Sequence, residues 1–526
     1  MRRDILMLKA TTAAAAAAAA VWPTRGGQWA ATGAAALAGP AAASEAAWLN
    51  ASVPPAPAMW GVLADNAGGA LYVASDSAAN LSLVLLDAAS GRPRWSAALP
   101  SDGAGYSCGA MAWMLDGCGA AYVSLGCGPE PLSLNNLLYS FELATGAARW
   151  PAPATTFGTG GFQALQHSAD CAHVFTTVGS RDGPGSLVAL DAATGSQVGA
   201  PFGQFDNNVA PTSALSLSAD GDTLLLTVSP FAPKSPVAAA FNVGGLRRRT
   251  PSGGGSDGGG GGAPPSQLWE SDGPAGGGSW AAPPQLAAAQ LSDGSVLLAY
   301  QPPLQQQQQQ QQQRAATAAT SDRVAVRRVR GSDGSGVWQA LAPCAGGGNA
   351  TVTGLAVSEA AGLVVLAVEH PPDGAGELLL LDLATGGVVG GSCLLHPAAT
   401  AAPATRGGGP AVVVRLRGLA LDDLTTPPTV FAAALDQDAA SAQVAAARVV
   451  AARVAGGAGG GCAVARSVPL TQGDGAGGGV APVPFRAPLR APTSGLTTDA
   501  WPSLLVGPLA GQLAVVLPGV GVVTVR

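Results

Sequence analysis

Charged side chains are scarce in this chain. Asp, Glu, Lys and Arg make up 11% of its 526 residues, and the net charge is −6. Nucleic-acid-binding proteins carry a basic face, so no nucleic-acid partner is expected. The short basic clusters at Arg247–Arg249 and at Arg327, Arg328 and Arg330 are expected to be solvated loops or strand edges. The chain also lacks a run of the roughly 18–20 apolar residues that a membrane-spanning helix needs.

Fingerprints of common catalytic sites are missing as well. No Gly-x-Ser-x-Gly, P-loop or dinucleotide motif stands in a strand–turn–helix context. The histidines are His167, His173, His370 and His396. His167 and His173 share one predicted hairpin with Cys171, but a zinc site there would need further ligands that the sequence does not supply nearby. We therefore predict neither a catalytic residue nor a metal site.

A ten-residue phrase, in contrast, recurs along the chain. It reads LDAASGRPRW from Leu86 and FELATGAARW from Phe141, and shorter copies begin at Leu190 and Leu381. Recurrence about every 50 residues marks a chain built from copies of one supersecondary unit. The acidic and Ser/Thr side chains suit hydrogen bonds to turn amides, and glycine suits the positive φ that closes a bulged hairpin. A tryptophan at one repeated place suits wedging between neighbouring sheets. The residues to which we assign this structural role are Asp87, Gly91, Trp95, Glu142, Gly146, Trp150, Asp191, Gly195, Trp269, Trp338, Asp382 and Gly386.

Each copy also contains two earlier strand-like segments, the first ending in an acidic or polar turn and the second apolar. In the last copy we assign the apolar run Leu504–Val506 to the second strand. Four short strands per copy without helical periodicity predict an all-β fold, a β-propeller of about eight (seven to eight) four-stranded blades. We place the propeller in residues 46–526, after a low-complexity leader or targeting segment at 1–45. Low-complexity insertions are expected to form solvated loops near 247–266, 301–320, 397–410, 455–461 and 473–480.

The phrase Leu-Asp-x-x-Thr/Ser-Gly-x-x-x-Trp resembles the repeat of the pyrroloquinoline-quinone (PQQ) quinoprotein propellers, over about residues 60–526. That superfamily includes eight-bladed alcohol dehydrogenases and non-catalytic outer-membrane assembly scaffolds. For its enzymes the resemblance implies PQQ, a calcium ion with carboxylate and amide ligands, a catalytic aspartate and a vicinal cysteine pair. This chain has no adjacent cysteines, so we predict no cofactor and keep PQQ with calcium as an alternative.

One polar cluster falls in a predicted connection between blades, where contact with a metal or ligand is conceivable. It consists of Asp206, Asn207 and Asn208. A turn formed by residues that favour turns is the simpler interpretation.

The compartment is indicated by three weak signals. Basic residues before Ala10–Val21 are similar to a secretory signal, although the acid-poor segment also suits an organelle transit peptide. Sequons stand at Asn50, Asn80 and Asn349, which are glycan acceptors in secreted proteins. The seven cysteines leave at least one thiol unpaired, and their connectivity is open. We expect a secreted or extracellular protein, with organelle targeting as the alternative.

An intact repeat without a catalytic constellation indicates a non-catalytic β-propeller that binds a protein or glycan partner through its faces. Two alternatives stay open. One is a diverged PQQ- and calcium-dependent dehydrogenase, and the other is a structural protein of the extracellular matrix.

Overall fold

The structure is a computed structural model. It describes residues 46–49, 58–64, 69–75, 81–87, 90, 92–99, 108–115, 118–127, 135–157, 162, 164–178, 185–205, 214–218, 220–228, 237–246, 264–272, 286–300, 323–344, 350–370, 374–396, 412–422, 425–438, 444–455, 461–469, 471–473, 480–482, 503–506, 513–517 and 521–525.

The described part of the chain is almost entirely β-structure. Its strands, numbered along the chain, are β1 (Ala46–Leu49), β2 (Ala58–Ala64), β3 (Gly69–Ser75), β4 (Leu81–Asp87), β5 (Pro93–Leu99), β6 (Cys108–Leu115), β7 (Ala120–Cys127), β8 (Asn135–Glu142), β9 (Ala154–Phe157), β10 (Leu165–His167), β11 (His173–Val178), β12 (Gly185–Asp191), β13 (Gln197–Phe205), β14 (Ala214–Leu217), β15 (Thr223–Val228), β16 (Val237–Asn242), β17 (Ser266–Asp272), β18 (Leu286–Gln290), β19 (Val296–Tyr300), β20 (Arg323–Val329), β21 (Gly336–Pro343), β22 (Thr351–Ser358), β23 (Leu363–His370), β24 (Ala375–Asp382), β25 (Cys393–Leu395), β26 (Val412–Asp422), β27 (Thr429–Asp438), β28 (Val444–Ala455), β29 (Gly461–Pro469), β30 (Thr471–Gly473), β31 (Val480–Pro482), β32 (Ser503–Val506), β33 (Leu513–Leu517) and β34 (Gly521–Val525). A single 3₁₀ turn at Gly244–Leu246 is the only helical segment among the described residues.

The described strands form eight four-stranded antiparallel sheets, which we call blades 1 to 8. Blades 1 to 7 are successive meanders, from β2–β5 to β26–β29, and β30 and β31 form a separate pair. The first strands of the blades contact one another in turn: β2 with β6, β6 with β10, β10 with β14, β22 with β26, β26 with β32, and β32 again with β2. Blades 4 to 6 continue the circle because β18 contacts β15 and β22. This closed ring of blades confirms the prediction of an all-β propeller.

Blade 8 is built from both ends of the described chain. Its strand order is β1, β34, β33, β32, so β1 supplies the outer strand. The assignment of Leu504–Val506 to a second strand is therefore wrong, because β32 is the first strand of the blade and contacts β2 and β26. The sequence misled here because a short apolar run looks the same in a first strand as in a second.

The core lies between the blades. All eight residues of Leu363–His370 are buried, as expected for a strand that is covered on both sides. Val364 and Val368 belong to the cluster shared with blade 5, while Val365 and Ala367 belong to the cluster shared with blade 7. The fourth strands are more exposed, as in β5 and β21.

The two ends of each blade carry different turns and connections because the strands form a meander. Turns between the first and second strands and between the third and fourth strands lie at the same end, because consecutive strands run antiparallel. We call this end the repeat-turn face. The hairpins between the second and third strands and the connections to the next blade lie at the opposite end, the connection face.

The expectation for Arg327 and Arg328 needs correction. Both lie in β20, which pairs with β19 on one side and β21 on the other, so this segment is neither a loop nor a strand edge. The Arg328 side chain is only 16% exposed and forms an ion pair with Asp293. A buried guanidinium needs such a partner, which a linear sequence does not display.

Candidate functional site

The repeated phrase forms the turn between the third and fourth strands. The Asp382 carboxylate accepts hydrogen bonds from the Thr385 amide, 2.8 Å, and the Thr385 hydroxyl, 2.7 Å. Asp191 accepts the same two bonds from Thr194. These bonds hold the turn closed and favour the ionised carboxylate. Hydrogen bonds from the Thr385 hydroxyl and amide accordingly keep the pKa of Asp382 below its ordinary value.

The tryptophan of one blade docks on the phrase turn of the next blade. The indole N–H of Trp95 in blade 1 donates to the carbonyl oxygen of Leu143 in blade 2, 2.8 Å away. Equivalent bonds join Trp150 to Ala192, Trp269 to Gly331, and Trp338 to Leu383. Each ring also covers the turn glycine, and these glycines have φ values of +73°, +76°, +68° and +73° at Gly146, Gly195, Gly334 and Gly386.

Blade 3 carries no tryptophan at this place, and an aromatic pair fills the interface with blade 4. Phe202 in β13 and Phe241 in β16 lie with ring centroids 5.8 Å apart in an edge-to-face arrangement. Gly203 has a φ of +58° and lies against the ring of Phe241. A different aromatic contact thus packs at the interface of blades 3 and 4.

A polar cavity of about 550 Å³ opens on the repeat-turn face between blades 4 and 5. The first–second turns contribute Ser218 and Asp220 from blade 4 and Asp293 from blade 5, while the phrase turn of blade 5 contributes Arg330 and Gly331. Ser218 donates to Asp220 at 2.5 Å, so this carboxylate closes its own turn. A β-carbon at Gly331 would lie 1.9 Å from the Gly294 carbonyl oxygen, which explains why glycine stands here.

Arg328 and Asp293 fix the wall of this cavity. The guanidinium donates to the Asp293 carboxylate at 2.7 Å, to the Ser295 hydroxyl at 3.0 Å, and to the Leu383 carbonyl of blade 6 at 3.2 Å. Burial raises the pKa of Asp293, but hydrogen bonds from Ser295 and the charge of Arg328 outweigh it, so the net pKa lies below the ordinary value. The wall therefore carries a fixed, internally paired charge rather than a proton donor.

Arg330 is the exception in the repeat. Counting back eight residues from the tryptophan gives Asp87, Glu142 and Arg330 in blades 1, 2 and 5. Arg330 cannot accept the turn hydrogen bonds, and Asp333, at the Ser/Thr position of the repeat, accepts the amide of Ser335 as the Thr385 hydroxyl accepts the amide of Gly387. The exposed Arg330 side chain lines the cavity and donates to the hydroxyl of Ser335 in the same turn, 2.8 Å away.

Several residues singled out in the sequence lie outside the described residues. They are Gly91, Asp206, Asn207, Asn208, Asn50, Asn80 and Asn349, and the low-complexity insertions lie largely outside as well. His167 and His173 do share a hairpin, β10–β11. Cys171 in that hairpin forms a disulfide with Cys118 of blade 2, so its sulfur serves as a crosslink between blades.

One cluster of potential metal ligands occurs among the described residues. Ligand atoms of Cys344, His370 and Glu377 lie within 4.8 Å of one another, and all three residues are buried. No short spacing in the sequence signals this cluster, because the histidine lies 26 positions after the cysteine. Calcium prefers six to eight oxygen ligands, so this set does not suit the calcium of the quinoproteins and we derive no PQQ-dependent step.

Cys393 and Cys462 form a disulfide between the outer strands of blades 6 and 7, and Cys344 is the cysteine of the described residues that forms no disulfide. In the same part of the chain, no helix has the length and apolar character to cross a membrane.

No protein-family model and no curated protein matches the chain. Among solved structures, BamB from Moraxella catarrhalis is similar at 14% identity and a TM-score of 0.36, over 72% of this chain and 80% of that one. A quinohemoprotein alcohol dehydrogenase from Pseudomonas putida is similar at 12% identity and a TM-score of 0.38, over 70% and 61%. A structure from a study of two prolyl endopeptidases is similar at 10% identity and a TM-score of 0.41, over 75% and 54%. Likeness at these levels carries no functional argument, and the assignment as a β-propeller rests on the chain's own ring of sheets.

Proposed function

We propose that the protein is a non-catalytic β-propeller scaffold that binds a protein or glycan partner on its repeat-turn face, in the cavity between blades 4 and 5. The observation that carries the proposal is Arg330. It replaces an acidic repeat residue and lies exposed in a polar cavity. Binding residues lie disproportionately on surface loops that a rigid scaffold positions, and Arg330 lies on such a turn.

The remaining cavity chemistry supports binding rather than catalysis. The carboxylates of Asp220 and Asp293 are held by Ser218 and by Arg328, respectively. Both therefore hold structure, whereas an acid–base catalyst needs a carboxyl group free to exchange a proton near neutral pH. Arg330 offers planar donors that suit a carboxylate on a protein side chain or an acidic sugar. The partner is therefore an acidic protein segment or an acidic glycan.

The disulfides support the proposal that the protein acts in a secretory or extracellular compartment. Cys118–Cys171 joins blades 2 and 3, and Cys393–Cys462 joins blades 6 and 7. Structural disulfides persist in oxidising environments and are rare in the cytosol. Glycosylation at Asn50, Asn80 and Asn349 belongs to the same proposal and is tested by mass spectrometry of the mature protein.

Capture of partners from native extract tests the binding role. Bait proteins are wild type, Arg330→Asp, which restores the repeat residue, and Arg92→Glu, a charge reversal at an exposed arginine next to the phrase turn of blade 1. We expect wild type and Arg92→Glu to capture the same partner and Arg330→Asp to lose at least about tenfold, the effect of one charge-assisted contact. An array of acidic and neutral glycans, probed with the same proteins, separates a glycan from a protein partner.

Two results would overturn the proposal. One is the absence of any reproducible partner in both formats, and the other is binding that Arg330→Asp leaves unchanged. Titration of wild type with PQQ and calcium, followed by tryptophan quenching and dye-linked alcohol oxidation, addresses the dehydrogenase alternative. Tight binding with turnover would replace the scaffold proposal.

A further inference from the structure

Blade 6 contributes to a buried polar cluster at the connection face, the end opposite the phrase turns. His370 ends β23, and Glu377 lies near the start of β24 in the same hairpin. The His370 Nε2 and Glu377 Oε2 atoms are 2.7 Å apart, and the side chains are 0% and 1% exposed. Cys344, which follows β21 of blade 5, completes the group from the neighbouring blade. The three side chains therefore meet at the boundary of blades 5 and 6.

The alternation of the strands explains why these side chains converge. Val364 and Val368 in β23 face blade 5, and His370 continues the same alternate positions. Glu377 stands two residues before Leu379, which faces blade 5 as well. Glu369, on the other side of β23, faces blade 7, where it binds Arg415 and the Leu416 amide. The adjacent residues Glu369 and His370 of β23 thus lie in different interfaces between blades.

The hydrogen bonding of His370 is incomplete. Its Nδ1 atom is buried and has no hydrogen-bond partner, while Nε2 is taken by Glu377. An unsatisfied buried polar atom destabilises the fold, so native structures retain such atoms rarely and for a reason. Beside a thiol and a carboxylate, the reason that fits this donor set is a bound cation.

We propose that Cys344, His370 and Glu377 bind a divalent cation of the zinc class, which crosslinks blades 5 and 6. Thiolate and imidazole are ligands that Zn²⁺ prefers, and they disfavour Mg²⁺ and Ca²⁺. Charge supports the same choice. A thiolate and a carboxylate together carry two negative charges, which one Zn²⁺ neutralises at a site where all three ligand residues are buried.

Binding requires small changes in the group. Zinc holds sulfur at about 2.3 Å and nitrogen or oxygen at about 2.0–2.2 Å, so the ligand atoms must move to within about 3–4 Å of one another. The Cys344 thiol gives up its proton, and the His370 ring and the Glu377 carboxylate reorient so that Nδ1, the nitrogen without a hydrogen-bond partner, binds the metal. Three protein ligands leave one coordination position for water.

Cobalt(II) substitution tests the site in the full chain. The protein, produced without a polyhistidine tag and with its disulfides oxidised, is stripped with a chelator and titrated with Co²⁺. We expect one equivalent to bind with a thiolate-to-cobalt charge-transfer band, and Zn²⁺ to displace the cobalt and abolish the band. In Cys344→Ala the band is lost, and in Glu377→Gln the cobalt affinity falls at least about tenfold, as for the loss of one ligand. His396→Asn is the matched control, because His396 is exposed and should leave the titration unchanged.

The wild-type protein alone decides the outcome if a variant does not fold. Folded, metal-free wild type that shows no charge-transfer band with Co²⁺ and no rise in melting temperature with Zn²⁺ would overturn the proposal. A band that persists in folded Cys344→Ala would do the same, because the thiolate would then come from another cysteine. The binding role of the repeat-turn face is independent of both results.

Discussion

Gly195 and the indole ring of Trp150 fit together across the boundary between blades 2 and 3. A β-carbon at Gly195 would lie 2.8 Å from Cδ2 of Trp150, closer than any real side chain allows. The indole N–H donates to the Ala192 carbonyl in the same turn, 3.1 Å away. The glycine that closes one turn therefore also makes room for the tryptophan of the preceding blade. The two residues stabilise the contact between the blades together.

Removal of the ring should destabilise the protein strongly. Trp150 is only 4% exposed, and truncation of a buried tryptophan costs about 3–5 kcal/mol. We expect this loss for Trp150→Ala in chemical denaturation, and a similar loss for Trp95→Ala. Trp150→Phe retains a ring without the N–H and should cost less. Val388→Ala is the control, because this valine is 42% exposed and should change stability by less than about 0.5 kcal/mol. Equal effects of Trp150→Ala and Val388→Ala would contradict the docking role.

Substitution of the turn glycine should destabilise the protein by more than the strain of its backbone conformation alone. Gly195→Ala places a side chain at a φ of +76° and against Trp150. Gly362→Ala is the matched control, with a φ of +64° and no atom within 4 Å of the new β-carbon. The control should lose about 1–2 kcal/mol from the left-handed backbone, and Gly195→Ala should lose about 1–3 kcal/mol more from overpacking.

A double variant separates these two causes. In Trp150→Ala the space beside Gly195 is open, so adding Gly195→Ala should cost only the backbone part, and the two effects should not add. Strict additivity of the two free-energy changes would show that the glycine and the tryptophan act independently.

Loss of the Cys118–Cys171 disulfide should weaken the contact between blades 2 and 3. The bond closes a loop between residues that are 53 positions apart, and disulfides of this kind contribute about 2–4 kcal/mol, largely by restricting the unfolded chain. We expect the double variant Cys118→Ser, Cys171→Ser to melt at a lower temperature than wild type under non-reducing conditions. An unchanged melting temperature would mean that the crosslink does not form in the mature protein.

The fold could be predicted because its determinants are local. The Asp, Thr and Gly of one turn stand within a few residues of one another, as in Asp382, Thr385 and Gly386, and each copy repeats the same short-range chemistry. Closure of the ring by β1 could not be predicted in the same way. The pairing of Ala46 with Val525 joins opposite ends of the chain, and a single strand carries no local signal for its partner.

The cavity and the buried cluster could not be predicted for a related reason. Arg330 was visible as a basic residue, but the cavity that it lines also needs Ser218 and Asp220 of blade 4, which lie far from it in the sequence. Cys344, His370 and Glu377 meet because a blade boundary brings them together, and no spacing in the sequence encodes that boundary. A site at the contact between two repeats contains residues from both copies, so the sequence of a single repeat does not reveal it.

Deletion of Gln305–Gln313 should leave stability almost unchanged. This low-complexity run lies between β19 and β20, outside the described residues. Shortening a solvated connection changes the loop entropy only slightly, by less than about 1 kcal/mol. A large fall in the melting temperature of the deletion variant would contradict the assignment of this segment to a loop.

Acid should weaken the phrase turns before other parts of the fold. Hydrogen bonds from the Ser90 amide and hydroxyl lower the pKa of Asp87, and those from Thr385 lower the pKa of Asp382, each from an ordinary value of 3.8. A carboxyl group whose pKa is lower in the folded state stabilises the fold above its unfolded pKa, and this contribution is lost as the pH falls through the folded pKa. We therefore expect the melting temperature to fall below about pH 4.

Asp382→Asn tests whether the turn carboxylates cause this dependence. Asparagine keeps an oxygen that can accept the Thr385 hydrogen bonds but has no proton to gain, so the variant should start at a lower melting temperature near neutral pH and decline less in acid. The difference in melting temperature between wild type and Asp382→Asn should therefore become smaller as the pH falls below 3.8. Parallel curves of melting temperature against pH for the two proteins would show that the acid sensitivity arises from groups other than Asp382.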